Sequence, residues 1–101
     1  MTKTSLNDDK IRFINLHKSF FSELKNTSCD IFESKVSIYE NSNQDLDPAS
    51  VELKITDDSY QIYFWDGYSL ADKHSTDNYD EALSKFKKFA KRLSKNLRRF
   101  S

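Results

Sequence analysis

The side chains able to move a proton or attack an electrophile are few in this chain: His17, His74 and Cys29, together with the adjacent carboxylates Asp57 and Asp58. Histidine titrates near neutrality and a thiolate is a strong nucleophile, so acid–base or covalent chemistry would start from these groups. His17, Cys29 and His74 lie far apart and supply none of the short ligand spacings of a metal site. His17 falls within the apolar stripe of a helix, where a structural role is expected, and His74 ends a strand, where exposure is. No serine sits in a nucleophile motif. Neighbouring strand-end carboxylates such as Asp57 and Asp58 point apart and suit a turn. The expectation is a protein without catalysis, bound metal or cofactor.

Two other groupings have the chemistry of recognition. Residues 85–101 carry eight basic residues and no acid, a formal +8, while residues 1–84 hold all 16 acids against eight bases, a formal −8. Lys88, Lys91, Arg92, Lys95 and Arg99 of the basic segment could neutralise phosphates. Exposed aromatics on a neighbouring sheet would then stack bases. The rest of the chain repels a polyanion, however, and a lysine-rich helix needs a wet side in any case. The second grouping is acidic and aromatic. Asp45, Asp47, Glu52, Asp57, Asp58, Asp66 and Asp72 accompany the tyrosines and the tryptophan of the central segment. Aromatic anchors ringed by carboxylates suit a basic protein partner.

The positioning elements follow from periodicity. With 101 residues the chain is one domain. Its mean hydropathy of −0.78 is low, but 14% aromatic residues support a folded core. One glycine and one proline exclude glycine-built phosphate loops. A helix is expected from about Asn7 to Lys25, capped by Ser5 or Asn7, with Asp8 and Asp9 in its first turn. Phe13, Leu16, Phe20 and Leu24 form its apolar stripe, edged by Ile14 and Phe21. "NTSCD" breaks that periodicity. Strands are expected at Lys35–Glu40, at "SVELKIT", at Tyr60–Trp65 and at Tyr68–His74, with residues 41–50 as the longest and most mobile loop. A second helix starts in "STDNYDEAL", with Asp77/Asp80 or Asn78/Glu81 at capping-box spacing. Its stripe is Tyr79, Leu83, Phe86, Ala90, Leu93 and Leu97, flanked by Ala82 and Phe89. Two amphipathic helices on one face of a four-stranded antiparallel meander make an α+β two-layer sandwich and leave the other sheet face in water.

The hairpin "YQIYFWDGYSLAD" decides what that wet face carries. A two-residue Asp66-Gly67 turn pairs Trp65 with Tyr68 and Tyr63 with Leu70, which builds an apolar patch opposite Tyr60, Ile62 and Phe64. A three-residue loop with a bulge would instead send Leu70 to the inner face. Asp-Gly favours the first arrangement, and contiguous exposed apolar area marks a contact site.

The stretch "YQIYFWDGYSLADKHSTDNYDEALSKFKKFAKRL", an aromatic hairpin running into a helix patterned by Glu81, Ala82, Leu83, Phe86, Phe89 and Leu93, resembles the ending of several small bacterial immunity proteins. The resemblance covers about a third of the chain. It implies a non-catalytic cytoplasmic protein that blocks a cognate toxin, often a basic nuclease. The expected function is therefore inhibition by occlusion, with Asp57, Asp58, Tyr63, Trp65, Asp66, Tyr68 and Asp72 in contact with the partner. The alternative is a nucleic-acid-binding module built on the basic helix. No apolar run of membrane-spanning length is present and the single cysteine allows no intrachain disulfide. A cytoplasmic monomer or homodimer is expected.

Overall fold

A computed structural model describes residues 6–22, 24, 27–40, 49–57, 59–66 and 69–99. A short 3-10 turn at Leu6–Asp9 leads into α1, Lys10–Phe21. Five strands follow: β1 (Thr27–Ile31), β2 (Lys35–Glu40), β3 (Ser50–Ile55), β4 (Tyr60–Trp65) and β5 (Leu70–Thr76). The chain closes with α2, Tyr79–Arg99. The strands form one antiparallel sheet in the order β1-β2-β3-β4-β5, with α1 over β1 and α2 over β3, β4 and β5. The fold is the expected α+β sandwich with one strand more than the periodicity predicts. Residues 41–48, expected as the longest loop, lie outside the described residues.

The added strand comes from the segment read as a break after the first helix. Thr27, Cys29 and Ile31 alternate with Ser28 and Asp30, but only Ile31 is strongly apolar, so the two-residue period is faint. Pairing makes the strand. Cys29 lies opposite Ile38 and Ile31 opposite Val36, which extends the inner face beyond β2. α1 correspondingly ends at Phe21 rather than near Lys25; the Leu24 N–H closes back on the Phe21 carbonyl at 3.0 Å. At its other end Leu6 is wholly buried, and its N–H donates to the Glu33 carbonyl. The expected cap Ser5 lies outside the described residues.

α2 is capped by Asn78, whose Oδ1 accepts from the Glu81 N–H at 3.0 Å. The reciprocal half of a capping box is not made. Glu81 turns instead to His74, and the Asn78 N–H finds the Thr76 hydroxyl at 3.1 Å. Ala82 and Ala90 are fully buried and let the helix approach the sheet closely, while Phe86, Phe89 and Leu93 fill the space between. Phe86 meets Phe13 edge-on at 5.8 Å, and Phe89 meets Phe64 at 6.2 Å. The helices run in the same direction, tied near both ends of α1: the Tyr79 hydroxyl donates to Asp9, and the Ser94 hydroxyl donates to the Phe20 carbonyl at 2.7 Å, with α2 continuing beyond. Relative to the expected stripes, both helices are rotated slightly. Phe13 and Phe21 of α1 are buried, whereas Leu16, Phe20 and Leu83 remain half-exposed.

Candidate protein-docking face

Strict alternation sends Val51, Leu53, Ile62 and Phe64 toward the helices and their sequence neighbours outward. Register then aligns the outward residues into rows across the sheet. Ser28, Tyr39, Ser50, Trp65 and Leu70 form one row from β1 to β5. Asp30, Ser37, Glu52, Tyr63 and Lys73 form the next, and Lys35, Lys54, Gln61 and Ser75 the third. Among the described residues no helix covers this face. Its first row is aromatic, with serines between the rings, and its second brings carboxylates beside them. Trp65 and Leu70 are 40% and 37% exposed. Asp30 accepts the Tyr39 hydroxyl proton at 2.8 Å, a bond that raises the phenol pKa. Glu52 faces Lys35 at 3.9 Å.

The hairpin differs from both expected registers. Trp65 lies opposite Leu70, and the connection is a four-residue loop closed by the Asp66 N–H on the Ser69 carbonyl and by the Ser69 N–H on the Asp66 carboxylate, at 3.0 Å for the latter. An aspartate that opens a turn can bind its own backbone in this way, which stabilises the longer loop over the two-residue one. The pairing then shifts between Phe64 and Trp65, leaving Ala71 as a bulge, so that Tyr63 faces Lys73 and Phe64 faces Asp72. Leu70 therefore stays on the open face beside Trp65, whereas Asp72 is turned to the helix side.

This corrects the position expected for Asp72. Its carboxylate bonds the Arg92 guanidinium at 2.8 Å, a contact that holds its pKa below the ordinary carboxylate value. Arg92 in turn lies over the rings of Phe64 and Phe89, 4.9 and 5.8 Å from their centroids. A residue expected in the protein-contact set and one expected in the nucleic-acid set thus bind each other. Asp57 is exposed in the β3–β4 turn, closed by the Thr56 N–H on the Ser59 carbonyl at 2.8 Å. That turn and Trp65 sit at opposite ends of β4, ~17 Å apart at about 3.4 Å per residue. Of the expected contacts, Tyr63, Trp65 and Asp66 are brought together, while Asp57 and Asp72 are not; Asp58 and Tyr68 lie outside the described residues. Tyr39 and Glu52 join the cluster through register alone, although alternation around Val36 and Ile38 marks Tyr39 as outward.

The basic side of α2 faces away from the sheet. Lys88, Lys91 and Lys95 are exposed, and no ion pair among the described residues engages them. The Arg99 side chain lies outside the described residues. Because α2 covers the inner face, these lysines and the Trp65 row stand on opposite layers. The pairing of phosphate contacts with base-stacking aromatics expected for a nucleic-acid module is not assembled.

The groups with catalytic chemistry are placed structurally. Burial, with the Asp30 charge beside it, pushes the Cys29 thiol up to about 11, so it is protonated at neutral pH. The His17 Nε2 lies 3.1 Å from the Thr27 hydroxyl and its ring stacks on Phe21; burial lowers its pKa. His74 meets Glu81 at 2.9 Å, which lowers the carboxylate's pKa. Among the described residues no cluster of three or more His, Cys, Asp or Glu is placed to hold a metal, and no helix is long and apolar enough to cross a membrane. No family model, curated protein or solved structure matches the chain.

Proposed function

We propose that this chain is a non-catalytic protein-binding inhibitor of the immunity type, acting in the cytoplasm by laying its open sheet face over a functional site of a basic toxin. One observation carries the reading: the open face presents Trp65 and Leu70 as a directly opposed pair, with Tyr63 and Tyr39 alongside and the carboxylates Asp66, Glu52 and Asp30 around them, while Lys73, Lys35 and Lys54 lie toward the other end of the face. Aromatic residues that can be desolvated at the centre supply affinity, and carboxylates at the edge speed association with a cationic surface. Asp66 is exposed at the hairpin tip, where it meets a partner early. The reduced thiol implied by a lone cysteine suits a reducing compartment.

The test is binding to the product of the gene adjacent to the one encoding this chain. Trp65→Ala combined with Asp66→Lys is expected to weaken that complex by about 2 kcal/mol, roughly thirtyfold in Kd, with the far-UV spectrum unchanged. A folded double variant with undiminished affinity overturns the reading. So does salt-sensitive binding of single-stranded RNA lost on Lys88→Glu with Lys91→Glu, because that outcome moves function to the other layer.

A further inference from the structure

The second surface with unexplained features lies between the helices. A groove of about 480 Å³ is walled by Arg12, Asn15 and Ser19 of α1 and by Ser84 and Lys87 of α2. Phe13, Leu16, Phe20 and Leu83 supply its apolar interior, and they include the stripe residues that the rotated helices leave half-exposed. No acid lines it. Ile11, one turn before Asn15 on α1, is at 69% the most exposed large aliphatic side chain described, and it lies outside the groove lining.

We infer that this groove docks an acidic amphipathic helix of a second protein, its apolar side chains seated on Leu16, Phe20 and Leu83 and its carboxylates on Arg12 and Lys87. A helix fits for a backbone reason. The groove has no strand edge, so an extended peptide would lose water from its N–H and C=O groups without gaining partners, whereas a helix satisfies its own. Two helices running in the same direction also present the ridges and furrow into which a third can settle. The groove is partly open to solvent, and a small ligand needs most of its surface enclosed. Arg12 and Lys87 put one exposed cation on each wall, which favours an anionic occupant. This surface is on the layer opposite Trp65 and goes beyond the sheet-face reading.

The probes are two fluorescein-labelled peptides of about 18 residues, long enough for five turns. Both carry leucines at helical spacing; one flanks them with glutamates, the other with lysines. The glutamate peptide is expected to bind saturably and the lysine peptide about tenfold more weakly, the size of two exposed charge contacts. Arg12→Glu with Lys87→Glu should reverse that preference. Both positions are exposed, so the far-UV spectrum should not change. Amide shifts should concentrate in residues 11–20 and 83–87. Trp65→Ala with Asp66→Lys should leave peptide binding intact, which separates this inference from the sheet-face reading. Binding of neither peptide, equal binding of both, an unreversed preference in the charge variant, or shifts centred on Trp65 would overturn it. Preferential binding of single-stranded RNA or of anionic phospholipid vesicles at the same sites would overturn it too.

Discussion

The two faces of β4 are one residue apart in sequence and opposite in purpose. Phe64 points inward, is almost wholly buried and packs beside Phe89, with the Arg92 guanidinium over both rings. Trp65 points outward, is 40% exposed and lies opposite Ser50 and Leu70 on the neighbouring strands. Both are large aromatics of similar hydrophobicity, so composition does not distinguish a core residue from a contact residue here. Position relative to the helices does. Charge is divided less cleanly: the lysines of α2 stand on the opposite layer, but Lys35, Lys54 and Lys73 share the open face with Asp30, Glu52 and Asp66.

The comparison breaks first at Phe64. Phe64→Ala removes a buried ring and should destabilise the domain by about 3–5 kcal/mol, read from urea unfolding. Trp65→Ala should cost no more than about 1 kcal/mol in the same measurement while weakening partner binding by far more. Equal destabilisation by the two substitutions would mean that the sheet face is covered rather than open. The next effect is at the helix cap. Asn78→Ala should cost about 1 kcal/mol because the Glu81 N–H loses its acceptor, and Asn78→Asp should retain most of it.

The smallest effect separates Asp72 from Asp66. Asp72→Asn should leave partner binding unchanged, because that side chain is on the helix side with Arg92, whereas Asp66→Asn should slow association. The Asp72 pKa is lower in the folded chain than in the unfolded one, so its contribution is fully present above the unfolded value. It is lost as pH falls through the folded value, below the ordinary carboxylate range. In Asp72→Asn the acid limb of the unfolding midpoint against pH should accordingly be slightly flatter. An unchanged limb together with weakened partner binding would place Asp72 on the open face after all.

Much of this architecture is legible in the chain. "SVELKIT" and "YQIYFW" alternate clearly, and the apolar spacing from Tyr79 onward marks α2 with its cap nearby. β1 is not legible because two of its three inward residues, Thr27 and Cys29, are weak hydrophobes, and pairing opposite Glu40 and Ile38 is what places them in the sheet. The slight rotation of α1 escapes prediction for a similar reason. Phe20 and Phe21 are equally apolar, and the neighbouring elements choose which one is buried. At the candidate site Tyr63, Trp65 and Asp66 could be named from sequence, but Tyr39 and Glu52 reach them only through pairing two and one strands away.

What the sequence by itself determines is therefore local: which residues of a strand share a face, where a helix starts, and that charge is divided between body and tail. These follow from fixed covalent periods of two and 3.6 residues. Tertiary structure alone decides how neighbouring elements register. The turn chemistry of Asp66 and the bulge at Ala71 keep Leu70 beside Trp65 yet send Asp72 to Arg92, reversing one side chain within two residues. Such choices turn on hydrogen-bond and loop-closure differences of about 1 kcal/mol, which periodicity does not encode.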